Sequence, residues 1–107
     1  MNSEPDQTLL IFCSCSADAA GELASALVEQ RLAACVSCLP ARSTYRWQGE
    51  VTADDEVLLI IKTVQHRYPA LEQSLLELHP YELPEILAVP VSAGLPDYLA
   101  WVAENTR

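Results

Sequence analysis

The feature that most constrains the fold of this chain is a pair of long extended segments joined by a tight turn. The first arm spans residues 35–47, residues 48–50 form the turn, and the second arm continues to residue 63. Each arm of about thirteen residues would be roughly 43 Å long at about 3.3 Å per residue. A compact domain of this length is roughly 35 Å across. The hairpin must therefore bend sharply or project beyond its own domain.

Pro40 lies midway along the first arm, and proline cannot donate a hydrogen bond to a neighbouring strand. We therefore expect a bulge, a bend or an edge position there. A projecting tip would expose Tyr45, Trp47 and Val51 together with open strand edges. Another subunit would cover both, so the hairpin predicts an oligomer.

The rest of the chain alternates short apolar runs with amphipathic segments. The predicted elements are a strand at residues 8–15, a helix over 20–32 with Ser16 as its cap, the hairpin, a helix over 68–78, a strand over 86–93 and a terminal helix opened by residues 94–97. Residues 57–63 are apolar enough for a central strand buried on both faces. This order predicts an α+β fold, the ferredoxin-like split β-α-β sandwich with an additional C-terminal helix.

Length and charge limit the possible classes of protein. We expect a single domain over residues 1–107, with residues 1–7 as a flexible N-terminus. The net charge of −9 and the scattered six Lys and Arg residues argue against a nucleic-acid partner. The N-terminal segment is acidic, unlike a signal peptide, and no apolar run is long enough to span a membrane. We therefore expect a cytoplasmic protein with reduced cysteines.

Residues 79–85, His-Pro-Tyr-Glu-Leu-Pro-Glu, connect the second helix to the last strand. Each proline moves the residue before it out of the helical region, so His79 and Leu83 should be extended. A stiff loop of this kind can hold imidazole, phenol and carboxylate groups in one geometry, as a binding site needs. The alternative is a rigid turn in which His79 and Tyr81 only satisfy buried backbone groups.

His79 and Glu85 are candidate metal ligands, with Cys13, another strand or a neighbouring subunit supplying a third. Imidazole together with thiolate would suit copper or zinc. A zinc site made of all four cysteines is disfavoured, because Cys35 and Cys38 should point to opposite faces of an extended segment. The cysteines are more simply small buried hydrophobic residues.

Lys62 closes the apolar part of the second arm and is expected to pair with Glu82 or Glu85, with neutralisation of an anionic ligand as the alternative. Aromatic residues could line a pocket or an interface; they are Tyr45, Trp47, Tyr81 and Trp101. The sequence shows no paired nucleophile and base, no glycine-rich phosphate loop and no metalloprotease helix, so we expect no enzyme. An enzyme that used His79 and Glu85 as acid and base would lack a nucleophile.

Five motifs occur in the order and spacing of one known family. They are Leu32-Ala-Ala-Cys35, Ser43-x-Tyr45-x-Trp47-x-Gly49, Lys62-Thr63, His79-Pro80-Tyr81-x-x-Pro84-Glu85 and Tyr98-Leu-x-Trp101. With them the chain resembles the CutA divalent-cation tolerance family. The resemblance implies a ferredoxin-like fold in a tight homotrimer whose long hairpins pair between subunits. It also implies a cytoplasmic role in tolerance of copper and other divalent cations, without established catalysis.

The resemblance further implies a metal site made of a cysteine at the end of the first strand, a histidine beside the loop motif and the glutamate after its second proline. Cys13, His79 and Glu85 take these places. Leu78 stands where a metal-binding relative carries a second histidine, so Cu(II) is expected to bind weakly and no cofactor is required.

A cleft between subunits is expected to hold the divalent cation or a small ligand. Its expected residues are Tyr45, Trp47, Lys62, Tyr81 and Trp101. Two further functions stay open. One is a ligand-sensing signalling trimer, since nitrogen-regulatory proteins resemble this sandwich; the other is a structural platform for partner proteins. The fold alone does not distinguish these functions, because function depends on the residues of the binding or active site.

Overall fold

A four-stranded antiparallel sheet forms the centre of the protein, whose computed structural model describes residues 4–107. The elements are β1 (Thr8–Cys15), α1 (Ala17–Glu29), β2 (Cys35–Trp47), β3 (Glu50–Val64), α2 (Tyr68–Leu78), β4 (Leu87–Pro90) and α3 (Pro96–Glu104), with a 3-10 turn at Gln65–Arg67. The strand order is β2-β3-β1-β4 with every neighbouring pair antiparallel. The predicted α+β class and the order of the ferredoxin-like sandwich are therefore confirmed.

Helices α1 and α2 pack on one face of this sheet. Leu27 of α1 and Leu75 of α2 are fully buried together with Ile11, Leu59 and Ile61 of the central strands. Burying a side chain of this size contributes about 1.5–3 kcal/mol. Side chains alternate along a strand, so the residues next to these in sequence point to the other side of the sheet.

We call that other side the open face. It carries the even-numbered residues of β1 and β3 and the odd-numbered residues of β2 and β4, which the strand register places side by side. Helix α3 covers one end of it, where Val102 and Ala103 pack against Val64. The central part of the open face, with Leu58 and Ile60, is apolar and only partly covered, and both residues are half-buried. The prediction that β3 is central is confirmed, but in the described chain it is fully buried on one face only.

The hairpin projects beyond the rest of the sheet. Strand β2 pairs with β3 without interruption over residues 35–47 and 50–62, whereas β1 pairs with β3 only over residues 57–64. About seven residues of each arm therefore extend past β1, a length of roughly 23 Å. The longest dimension of the described chain is 43 Å. The prediction that the hairpin must bend or project is resolved in favour of projection.

Both strand prolines lie in edge strands, as one of the expected alternatives required. Pro40 pairs with Val57 without a shift in register, so it marks an edge and not a bulge. Pro90 ends β4 opposite Leu9. The last strand is four residues long, shorter than the predicted 86–93. Beyond Pro90 one backbone hydrogen bond to β1 follows, from the N–H of Val91 to the carbonyl of Thr8 at 3.0 Å.

The helices need one correction, at Ser16, and show two further local features. Ser16 is at the N-cap of α1, but its hydroxyl makes no capping hydrogen bond within the described chain. Leu78, the last residue of α2, is 48% exposed. Helix α3 buries Val102, whereas Tyr98 and Trp101 stack on each other at 5.6 Å and stay exposed.

The N-terminal residues that the structure describes are attached to the domain. Gln7 donates from its side chain to the carbonyl of Val91 at 3.0 Å, and the backbone N–H of His66 donates to the carbonyl of Pro5 at 3.0 Å. Residues 1–3 of the predicted flexible segment lie outside the described residues. Among residues 4–107, no helix has the length and apolar character that a membrane crossing requires.

Candidate functional site

The loop of residues 79–85 is fixed to β1 by the imidazole of His79. Its Nε2 is 2.8 Å from the carbonyl oxygen of Ser14, which can only accept, so Nε2 carries the proton. Its Nδ1 accepts a hydrogen bond of 3.1 Å from the backbone N–H of Tyr81. The residue is 8% exposed, and its ring contacts the ring of Tyr81 edge-on at 4.7 Å. Both nitrogens of His79 therefore satisfy backbone groups, as the rigid-turn alternative expected.

Three hydroxyl groups around this loop donate to carboxylates. Tyr81 donates to Oε2 of Glu56 at 2.7 Å, and Ser14 donates to Oε1 of Glu85 at 3.1 Å. Tyr45 donates to Asp54 near the hairpin tip. These contacts join the loop to β1 and β3, so they determine where the carboxylates lie.

The same contacts keep the phenols protonated. Burial and the hydrogen bond to Glu56 raise the pKa of Tyr81 above its usual range. The hydrogen bond to Asp54 raises the pKa of Tyr45 in the same direction. A phenol that donates to a carboxylate would lose this bond on ionisation, so both tyrosines act as neutral donors.

These residues surround a cavity of about 670 Å³ between the hairpin tip and the loop. We call it the tip cavity. It is lined by Ser14, Ser43, Thr44, Tyr45, Arg46, Trp47, Asp54, Glu56, Tyr81, Glu82, Leu83 and Glu85. The lining thus contains four carboxylates, one guanidinium and three aromatic rings. The strand register assigns Ser14, Glu56 and Tyr45 to the open face of the sheet.

The structure separates the three metal ligands expected from the sequence. Cys13 points into the core with the leucines of α1 and α2, whereas Glu85 contacts Ser14 at the open face. Burial raises the pKa of Cys13 to about 12, so the thiol is protonated, although metals bind the thiolate. Within residues 4–107, no group of three His, Cys, Asp or Glu side chains is arranged to hold a metal ion.

The remaining cysteines also fail to converge. Cys15 is buried beside Cys13, Cys35 is half-buried and Cys38 is exposed. Burial raises the pKa of Cys15 as well. All four are free thiols, and the buried pair belongs to the hydrophobic core, as expected for small apolar residues.

Two residues expected in the cleft lie away from the tip cavity. Lys62 donates to the hydroxyl of Ser37 at 2.8 Å and lies 3.8 Å from the sulfur of Cys35. The ion pairs found within the described residues do not include Lys62, so the predicted pairing with Glu82 or Glu85 is wrong for this chain. Trp101 lies on α3. Whether a neighbouring subunit brings these two into a cleft stays a prediction.

Sequence reasoning missed several residues of the tip cavity. Asp54 and Glu56 are acidic residues two apart in a strand, so they share one face of β3. That spacing was the available signal, since the register puts Asp54 opposite Ser43, on the same face as Tyr45. Ser14 gave none, because its role depends on a loop 71 residues away.

Comparison with known proteins agrees with these motifs. The family model described as CutA1 divalent ion tolerance protein matches residues 9–105. The chain is 51% identical over 92 residues to a divalent-cation tolerance protein CutA of Thermus thermophilus, covering 85% of this chain and 89% of that one. A solved structure of a divalent cation tolerance protein from Thermus thermophilus has a TM-score of 0.90 and 46% identity, with coverage of 94% of this chain and 99% of that one.

Two more distant structures share the fold. One is named a PII-like protein CutA from Nostoc, with a TM-score of 0.89, 35% identity and coverage of 92% of this chain and 97% of that one. The other is named a periplasmic divalent cation tolerance protein CutA from Archaeoglobus fulgidus, with a TM-score of 0.90, 31% identity and coverage of 94% and 99%. The chain belongs to the CutA family of divalent-cation tolerance proteins.

Proposed function

We propose that this protein acts in divalent-cation tolerance as a cytoplasmic homotrimer that binds a divalent cation or a small ligand in clefts at the hairpin tips. The observation that carries the proposal is the tip cavity, whose lining contains four carboxylates and one guanidinium. Carboxylate oxygens are common ligands of divalent cations. The family membership supports the link to cation tolerance.

The trimer is supported by the apolar surface that one chain leaves uncovered. Leu39, Leu87 and Val89 lie on the open face and are 44%, 58% and 43% exposed. Large contiguous apolar patches on a protein surface mark interfaces. The projecting tip adds Tyr45 and Trp47 and two strand edges. Neighbouring copies would bury the patch and close the tip cavity from the side.

We propose a binding role and not a catalytic one. The imidazole of His79 has both nitrogens engaged by backbone groups, so it is not positioned to transfer a proton to a ligand. The phenols of Tyr45 and Tyr81 are likewise engaged as donors to carboxylates. No cofactor is required for this role.

For the cation we propose ligation through Glu85 and the neighbouring carboxylates of the tip cavity. Copper binding through Cys13, His79 and Glu85 would require a deprotonated core thiol and the loss of a hydrogen bond of His79. Leu78 does not line the tip cavity but borders a smaller one beside α1. A second histidine at position 78 would therefore not join the carboxylates.

The test is a calorimetric titration of Cu(II) into the wild type and three variants. Glu85→Gln keeps the shape of the side chain and removes its charge, so we expect about three- to tenfold weaker binding. Asp55→Asn is the matched control, since Asp55 pairs with Arg42 and is not part of the tip cavity. Leu78→His should leave the affinity unchanged.

Two results would contradict the proposed site. Equal affinity of the wild type and Glu85→Gln for Cu(II) would show that the carboxylate of Glu85 does not bind the ion. Tighter binding by Leu78→His would favour the histidine-based site that the sequence suggested.

A ligand-sensing role is the second candidate, and the structural likeness to the PII-like CutA of Nostoc favours it. In that role the tip cavity would bind a small molecule, and a change in the cleft between subunits would signal that the molecule is bound. The cavity volume of about 670 Å³ lies in the range of small-molecule sites, roughly 300–1,000 Å³.

A further inference from the structure

The aromatic residues of the tip cavity suggest the chemical class of its ligand. Tyr45 and Trp47 come from the hairpin tip and Tyr81 from the loop, so three rings from two separate elements converge. In one chain they are 40%, 40% and 36% exposed, so part of each side chain is accessible beside the cavity. The face of an aromatic ring attracts a cation, most strongly for tryptophan.

The carboxylates of the cavity are held in fixed positions. Glu56 accepts from Tyr81 and Glu85 accepts from Ser14, so one oxygen of each is anchored by a hydroxyl group. A carboxylate anchored in this way can accept a further hydrogen bond from an ammonium group without first losing its rotational freedom. The site therefore combines ring faces with fixed negative charge.

The balance of charge excludes anionic ligands. Four carboxylates line the cavity, and Arg46 is the lining residue that carries positive charge. Its guanidinium reaches back to the carbonyl of Gly49 at 3.4 Å, within the hairpin turn. A phosphate or carboxylate ligand would meet like charge on most sides.

The dimensions favour an organic cation over a metal ion alone. A single ion would occupy a small part of about 670 Å³. Within residues 4–107, no three His, Cys, Asp or Glu side chains converge as metal ligands. An ammonium group needs no such coordination, since ring faces and one or two carboxylates suffice.

We infer that the tip cavity binds small organic cations, with an ammonium group held between the rings of Tyr45, Trp47 and Tyr81 and the carboxylates of Glu56 and Glu85. The inference rests on the proposed function of the cleft as a ligand site and names the class of its small ligand. An apolar body attached to the ammonium group would lie along the rings.

The experiment uses three probes of similar size and different charge: benzylammonium, benzyl alcohol and benzenesulfonate. Each is titrated into the full-length protein labelled with ¹⁵N at tryptophan and followed by NMR. The chain has two tryptophans, of which Trp47 lines the cavity and reports on binding there, while Trp101 on α3 gives the second indole signal. We expect the cation to shift the indole signal of Trp47 and to bind at least tenfold more tightly than either other probe.

Variants separate local recognition from the overall negative charge. Glu56→Gln should weaken binding of the cation about three- to tenfold, and Tyr81→Leu should do the same by removing a ring. Asp55→Asn removes the same charge one residue away without touching the cavity, and it should change the affinity less than twofold. Tyr81→Phe keeps the ring but removes the hydroxyl group that donates to Glu56, so it tests whether the ring alone maintains the affinity for the cation.

Several results would overturn the inference. They are equal binding of the three probes, no shift of the Trp47 indole signal by the cation, and equal weakening by Glu56→Gln and Asp55→Asn. If the protein is a trimer that binds copper through Glu85 but not the organic cation, the inference fails and the proposed function stands. If the protein is monomeric and binds neither copper nor the cation, both fail.

Discussion

At the scale of single residues, side chains alternate along β1, so neighbouring residues of this strand have different roles. Cys13 points into the core and Ser14, the next residue, donates to Glu85 in the tip cavity. The family resemblance suggested Cys13 as a metal ligand, because a thiolate would suit copper or zinc. Its surroundings make it a packing residue whose proton is hard to remove.

The raised pKa of Cys13 predicts a loss of stability at alkaline pH. Burial raises this pKa from 9.0 to about 12, so between these values the unfolded chain has released a proton that the folded chain retains. The unfolded state then binds fewer protons, and the free energy of unfolding falls as the pH rises. One such group contributes a slope of up to about 1.4 kcal/mol per pH unit.

Urea unfolding at pH 8.5, 9.5 and 10.5, at one protein concentration, measures this slope. Cys13→Ala should lower the stability at every pH because it leaves a cavity, but it should also make the pH dependence flatter. Cys38→Ala removes an exposed thiol and should leave the slope unchanged. Parallel curves for the wild type and Cys13→Ala would show that other groups cause the decline.

At the scale of elements, the sequence predicted those features that depend on neighbouring residues and missed those that depend on contacts between distant residues. The bounds of β1 and β2 were predicted correctly, because apolar runs and extended arms are local patterns. The turn at Gln48 and Gly49 was signalled by its composition. The attachment of the loop was not, because the bond between His79 and Ser14 joins residues 65 apart.

The short length of β4 shows a further limit. Periodicity predicted a strand to residue 93, but the strand ends at Pro90. The tip cavity was predicted in part: Tyr45, Trp47, Tyr81 and Glu85 were named as site residues, whereas Asp54 and Glu56 depend on the register of the hairpin. Register is a property of paired strands, and one strand alone does not determine it.

The hairpin turn provides a prediction at this scale. Gln48 and Gly49 both have positive φ, at 51° and 83°, as a two-residue turn between paired strands requires. A Cβ added to Gly49 would meet no atom within 4 Å, so the cost of Gly49→Ala is conformational. We expect a loss of about 1–2 kcal/mol in the free energy of unfolding.

Gly21→Ala is the matched control, because Gly21 lies inside α1 and its added Cβ would also meet nothing within 4 Å. Alanine favours a helix over glycine by about 0.5–1 kcal/mol, so this variant should be more stable than the wild type. Thermal or urea unfolding of both variants decides the matter. A change of the same sign in the two would mean that the turn conformation does not limit the stability of the hairpin.

At the scale of the whole molecule, a single chain leaves much of the apolar open face of the sheet uncovered. Helices α1 and α2 cover one face of the sheet, but α3 reaches only one end of the open face. The projecting hairpin adds two unpaired edges. A chain with this surface is expected to associate, and the three-fold assembly proposed above would cover both features.

This surface leads to a prediction about assembly. Leu87 on the open face and Leu76 on the outer side of α2 are similarly exposed, at 58% and 54%. Leu87→Asp should convert the trimer to monomers, because it places a charge in the proposed interface. Leu76→Asp should leave the trimer intact.

Trp47→Ala should weaken the assembly more than Trp101→Ala, if the hairpin tip is the main contact.

Sedimentation equilibrium at micromolar concentration measures the mass of each variant directly. The wild type and Leu76→Asp should sediment at three times the 11.8 kDa of one chain, and Leu87→Asp at the mass of one chain. Circular dichroism of Leu87→Asp distinguishes a folded monomer from an unfolded chain, and retention of the native spectrum is expected because Leu87 is not part of the core. A wild-type protein that sediments as a monomer, or a Leu87→Asp variant that stays trimeric, would show that the open face is not the surface on which copies of this chain meet.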